Sequence, residues 1–356
     1  VSRLPGWGKR AAVITAAAGV VATGAAVGLA AERYAAGRSF RGPDPEADEP
    51  LGQLHGRVVP VTADDGVALH VEVDETGDEG PVSVVFCHGL ALDQGSWHYQ
   101  RRDLDDIGRL VFWDQRGHGR SGRGAPDHAT IDQLGRDLKA VLDATTSDRP
   151  VVLVGHSMGG MTIMALAEQH PEMFGEQVIG VALIATSPGR LAEISFGVPA
   201  AAGRGLRRVA PRALQVLNER PAFVQRGRRL AGDLEFVLTK RYSFATDVPP
   251  SLVRFVTSMH DHTPLDVLAE LFPAFDAHDK LAALDVLREI ETLVLGGEQD
   301  RMTPADHSRE IAEALPGARL AILPDAGHMV MLEHHDVVTD ELRDLVERAL
   351  RSRPAA

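Results

Sequence analysis

The sequence predicts an α/β protein built on a doubly wound, mostly parallel sheet with a helical insertion, and three observations carry that prediction. Short, almost wholly apolar runs such as Val82–Cys87 and Val151–Val154 read as strands covered on both faces. Amphipathic helical patterns alternate with them, which favours parallel strands joined by crossover helices. The alternation then stops over residues 188–288 and resumes afterwards, as it would around an inserted domain.

Taken in order, the chain starts with Arg3, Lys9 and Arg10 and then the uncharged, Ala- and Gly-rich residues 11–31. That run is long enough to cross a bilayer, and Gly24-x-x-x-Gly28 suits close helix contacts in lipid. A membrane anchor, a cleaved export signal and a soluble or surface-lying tail are all open, so the protein is expected to be membrane-anchored or exported, with a cytoplasmic location as the alternative. The acidic, proline-rich stretch from Arg41 to Pro50 reads as a linker, so residues 1–50 form an amino-terminal segment apart from the fold.

The first part of the folded core is expected over 51–187. Arg57–Thr62 and Val67–Val73 flank Asp65-Gly66, a strong hairpin signal, and give the sheet an antiparallel start. Val82–Cys87 and Arg109–Trp113 follow as strands, and Thr130 caps a helix with apolar residues at Ile131, Leu134, Leu138, Val141 and Leu142. Val151–Val154 is the next strand, running through Gly155-His156-Ser157-Met158-Gly159 into a helix, and Val178–Thr186 is another. Residues 188–288 have Arg- and Ala-rich helical patches broken at prolines including Pro199, Pro249, Pro264 and Pro273. The second core part, 289–356, brings the strands Glu291–Gly297 and Arg319–Leu323 and a last amphipathic helix through Val337 to Leu350.

Composition excludes several functions. A net charge of −13 leaves no concentrated basic surface for nucleic acid, and a small neutral or apolar substrate fits better. The single cysteine, Cys87, rules out a disulfide framework and any multi-cysteine metal site; no metal or cofactor is expected, and His260-x-His262 lacks partners at ligand spacing.

The chemistry centres on Gly-x-Ser-x-Gly. A strand that turns into a helix within a few residues forces Ser157 into a strained conformation at the carboxyl edge of the sheet, for which Gly155 and Gly159 leave room. The bland alternative is an ordinary helix N-cap. The later strands each end near a group that such a serine needs: Asp300 after Glu291–Gly297, and His328 after Arg319–Leu323. Asp306 and Asp325 compete with the first, His334 and His335 with the second.

These motifs, with His88-Gly89 and the Asp114-to-Gly122 run, resemble the α/β-hydrolase superfamily in its capped esterase, lipase and haloperoxidase-like branch, over about residues 55–352. The resemblance implies a carboxylic ester hydrolase with Ser157 as nucleophile, His328 as base and then acid, and Asp300 as its orienting carboxylate, which physical chemistry also requires. It implies an oxyanion hole from the backbone N–H groups of Leu90 and Met158, and a cap over the nucleophile at 188–288. His88, Gly89, Trp97, His156, Phe196, Tyr242, Met259 and Met329 are candidate pocket residues. Acyl transfer, perhydrolysis or carbon–carbon bond hydrolysis would use the same triad, and a non-catalytic ligand-binding receptor is the alternative of another class. Related epoxide hydrolases and dehalogenases carry an aspartate where this chain has Ser157.

Overall fold

The computed structural model describes residues 43–75, 80–191 and 235–352. Eight strands form one sheet: β1 (Arg57–Thr62), β2 (Ala68–Asp74), β3 (Ser83–Cys87), β4 (Arg109–Trp113), β5 (Val151–His156), β6 (Val178–Ile184), β7 (Glu291–Gly297) and β8 (Arg319–Leu323), in spatial order β1-β2-β4-β3-β5-β6-β7-β8. The β1–β2 and β2–β4 pairs are antiparallel and all others are parallel. The fold is therefore the α/β-hydrolase fold expected from sequence. Chain order departs in opposite directions on the two sides of β3, toward β4 and toward β5, and the carboxyl ends beside that reversal are where such sheets bind ligands.

Period-two patterning divides the core between two faces. Val84 and Phe86 of β3 and Val152 and Val154 of β5 join one apolar cluster, while Val85, Cys87, Val151 and Leu153 join the other. Helices α1 (His98–Asp103) and α7 (His335–Ser352) cover the first face, the latter through Val338, Leu342, Leu345 and Val346. On the second lie α2 (Ile131–Thr145), α3 (Met158–Gln169) and α6 (Ala305–Ala314). Thr130 caps α2 as expected, its side chain accepting from the Gln133 N–H at 3.1 Å. Every residue of α3 from Met158 to Ala167 is buried, so its apolar character runs all round rather than along one stripe.

Between β6 and β7 the described residues are helical at 235–243, in α4 (Pro250–His262) and in α5 (Leu265–Ala277), and a 3-10 turn at Ala282–Glu289 leads into β7. Pro249, Pro250 and Pro264 sit at helix starts, but Pro273, expected as a break, lies inside α5. Burial of Val267, Ala269 and Leu271 keeps α5 continuous despite the lost N–H. The end of the acidic stretch expected as a linker is docked. Asp44 accepts from the Ser251 N–H at 3.1 Å at the start of α4, and Glu49 from His98 Nε2 at 2.8 Å on α1. No helix among the described residues is long and apolar enough to cross a membrane; residues 11–31 lie outside them.

Tight glycine contacts fix the turn after β5. A Cβ on Gly159 would lie 2.1 Å from the Cys87 carbonyl oxygen, whereas one on Gly317 would meet nothing within 4 Å. Gly159→Ala is expected to cost at least about 3 kcal/mol or to prevent folding, and Gly317→Ala to change stability by less than about 0.5 kcal/mol, read by urea denaturation.

Candidate active site

Ser157 sits between β5 and α3 with φ 52° and ψ −116°, a conformation that L-residues avoid. Its N–H donates to the Ile184 carbonyl at 3.0 Å, and its own carbonyl accepts from the Thr186 hydroxyl at 2.7 Å. The Ser157 side chain makes no capping bond to α3, so the N-cap alternative does not describe it. The hydroxyl is held at the sheet edge, half-buried.

Asp300 and His328 come together from the loops after β7 and β8. Nδ1 of His328 lies 2.8 Å from Oδ2 of Asp300, and the Asp300 side chain is fully buried. Oδ1 of the same carboxylate accepts from the Met302 and Thr303 N–H groups at 2.7 and 3.0 Å, a turn that points Oδ2 at the imidazole. His328 is tied to the residue before Ser157: His156 Nε2 donates to the His328 carbonyl at 2.9 Å, and the two rings stand 4.7 Å apart. Burial, with His328 alongside, holds His156 well below the ordinary imidazole range, so it is neutral. The competing residues are elsewhere: Asp306 pairs with Arg309, Asp325 with His334, and His335 stacks on Tyr99.

The loop after β3 is set by His88, which is fully buried. Its Nε2 accepts from the Gln115 N–H at 2.9 Å, which requires the proton on Nδ1, and Nδ1 donates to the Gly89 carbonyl at 2.7 Å. With the Gly89 carbonyl turned toward His88, the N–H of Leu90 in the same trans peptide points the opposite way. Neither the Leu90 nor the Met158 N–H has a protein acceptor among the described residues. Burial lowers His88 to about 4 and, helped by its neighbour His88, lowers His118 to about 3; the two rings meet edge to face at 5.3 Å.

The pocket candidates divide. Gly89 abuts His156, since a Cβ there would lie 2.8 Å from its Nδ1, and Trp97 is fully buried with its ring edge toward His156. Met259 and Met329 are buried in the same apolar core as Trp97, Tyr242 is half-buried, and Phe196 lies outside the described residues. Sequence reading missed Glu333, which clamps the His328 loop by accepting from the N–H groups of Gly327 at 2.6 Å and Ala245 at 2.8 Å. It also missed Gln115, whose Nε2 donates to the His88 carbonyl at 2.5 Å and whose Oε1 accepts from Thr162 at 2.7 Å. Neither residue belongs to a local pattern that could have disclosed it. Cys87 is buried at the end of β3, and burial pushes its thiol up to about 12, away from the thiolate that a nucleophile needs.

Known proteins resemble this chain in sequence and fold. A dihydrolipoyllysine-residue acetyltransferase component of the acetoin cleaving system from Pseudomonas putida is 29% identical over 75% of this chain, which spans 64% of that relative. An sn-1-specific diacylglycerol lipase from Mus musculus is 28% identical over 71% of this chain and 77% of its own length. Among solved structures, a thermophilic esterase from Thermogutta terrifontis superposes with a TM-score of 0.63 at 24% identity, over 83% of this chain and 99% of the esterase, a likeness of fold. The family model described as alpha/beta hydrolase fold matches residues 82–335, and the chain belongs to that family.

Proposed function

We propose that this hydrolase cleaves carboxylic esters through an acyl-enzyme on Ser157, with His328 as general base and acid and Asp300 as the carboxylate that orients it. The observation that carries the reading is the 2.8 Å contact between His328 Nδ1 and buried Asp300, on a histidine whose backbone carbonyl accepts from His156, the residue before Ser157. Asp300 keeps the proton on Nδ1, which leaves Nε2 free to take one from the serine hydroxyl. The alkoxide oxygen attacks the ester carbonyl, and the oxyanion is received by the N–H groups of Leu90 and Met158. Nε2 then gives its proton to the leaving alcohol, and water repeats the sequence on the acyl-enzyme.

Several features support an uncharged substrate with an apolar acyl group. The chain is acidic overall, burial holds His88 and His156 neutral, Trp97 packs against the His156 ring, and Met329, next in sequence to His328, is buried. The diacylglycerol lipase among the relatives cleaves an ester by name, at 28% identity.

Fluorophosphonate labelling and hydrolysis of p-nitrophenyl esters of graded chain length test the reading. Ser157→Ala is expected to abolish labelling and to lower kcat by at least about 10³-fold, and Asp300→Asn to lower it by about 10² to 10⁴-fold by favouring the wrong tautomer. No labelling, with no turnover of short or medium acyl esters, would sink it; activity that rises with added alcohol at the expense of free acid would redirect it to acyl transfer.

Acid is expected to act through the loops after β3 and β4, where the rings of His88 and His118 meet. The folded values of His88, about 4, and His118, about 3, lie below the unfolded value near 6.5, so the unfolded chain binds more protons in that window. Stability from these groups is full above about pH 6.5 and is lost progressively as the pH falls toward 4 and 3. Urea midpoints taken from pH 7.5 to 4.5 should decline; His118→Gln, which cannot be protonated, should flatten the decline, and an unchanged slope would count against it.

A further inference from the structure

Thr303 lies one turn past Asp300 and is 4% exposed. Its hydroxyl oxygen stands 2.8 Å from Asp300 Oδ2, 2.8 Å from the Ala185 carbonyl oxygen and 3.3 Å from His328 Nδ1. The two near neighbours are both acceptors and the hydroxyl has one proton, so only one of them receives it at a time. A carboxylate is the stronger acceptor, which places the proton on the Asp300 side, with the Ala185 carbonyl as its second seat. Ala185 follows β6 with φ 44°, so this carbonyl is aimed by an uncommon backbone conformation.

We propose that Thr303 is a positioning residue for the Asp300–His328 pair: its hydroxyl donates to Oδ2, fixes the carboxylate plane against the end of β6, and limits how strongly Oδ2 holds the Nδ1 proton. The inference rests on the triad reading above and adds a residue to it. Other titratable groups facing the pair are His156 at the end of β5, His260 on α4 and, toward Asp300, His307 on α6. Burial holds all three below the ordinary imidazole range, His260 at about 4, so none supplies a competing charge near neutral pH.

Removing the hydroxyl leaves Oδ2 with one donor fewer, makes it a better acceptor for Nδ1–H, and loosens the carboxylate. The test is proton NMR of the His328 Nδ1–H, assigned by its loss in His328→Gln, together with ester kinetics. In Thr303→Val the resonance should move downfield, kcat should fall about 10-fold with KM unchanged, and the acidic limb of the pH–kcat profile should rise by about half a unit. Thr303→Ser should restore all three. Thr303→Cys, close in size and a weak donor, replaces the valine variant if that does not fold. An unmoved resonance in the folded valine or cysteine variant overturns the proposal, whatever the activity. A moved resonance in a protein that neither labels nor hydrolyses esters sustains the positioning role while the ester reading fails.

Discussion

The backbone of Ser157 is the constraint on which the site depends. A non-glycine residue at φ 52° and ψ −116° costs on the order of 1–3 kcal/mol and persists only when its surroundings over-determine it. The surroundings here are the two neighbouring strands. Pairing of Cys87 with Gly155 and of His156 with Ile184 sets the height of the turn, after which Gly159 closes on the Cys87 carbonyl and Gly160 on Thr186. A side chain at either glycine would push α3 off the sheet, and α3 carries the Met158 N–H. The same few ångströms of packing therefore hold both the serine and one of the candidate oxyanion donors.

Each of the other loops is held by its own polar side chain instead of by regular structure. Gln115 and His88 set the loop after β3, the Asp300–Thr303 turn sets the acid, and Glu333 sets the loop of His328. Hydrogen bonds of this kind are directional and buried, so they fix orientation before substrate arrives, which is what transition-state stabilisation requires. Their neutral histidines matter in this respect. An imidazole that both donates and accepts can be locked in one tautomer, whereas a protonated one would present a second donor to the Gln115 N–H.

How much of this was legible in the sequence follows from where the information lies. Strands β3 to β7 were readable to within a residue or two because both faces are buried, so each carries a nearly continuous apolar run; β1 and β2, more exposed and partly polar, were marked by the Asp65-Gly66 turn between them, and β8, with half-exposed residues, by its position before Asp325 and His328. Ser157, Asp300 and His328 were legible because each follows a strand. Thr303 had a signal that went unread: an aspartate followed three residues later by threonine is a local turn pattern. Glu333 and Gln115 had none, since their partners are distant in the chain and nothing in composition links them. Pro273 misled because helix breaking is a local rule, and tertiary burial of α5 outweighed it.

The acidic stretch before β1 was misleading in a more instructive way. Its composition is that of a solvated linker, yet its charges are complementary to what it crosses. Asp44 accepts from the N–H and hydroxyl of Ser251, at a helix start where negative charge is favoured, and pairs with Arg254 at 2.7 Å. Glu46 bonds to Tyr99, Glu49 to His98 and Arg102, and Gly52 lies under the Phe255 ring. The exposed pairs among these, Asp44–Arg254 and Glu49–Arg102, are individually worth about 1 kcal/mol or less, but they act with the bonds to buried His98 and Tyr99 on one strap joining α4 to α1. Any movement of α4 away from the core would have to break them together. Two buried residues of these elements, Trp97 before α1, whose ring meets that of His156, and Met259 on α4, are thus held in place from outside by a segment that carries no apolar signature of its own.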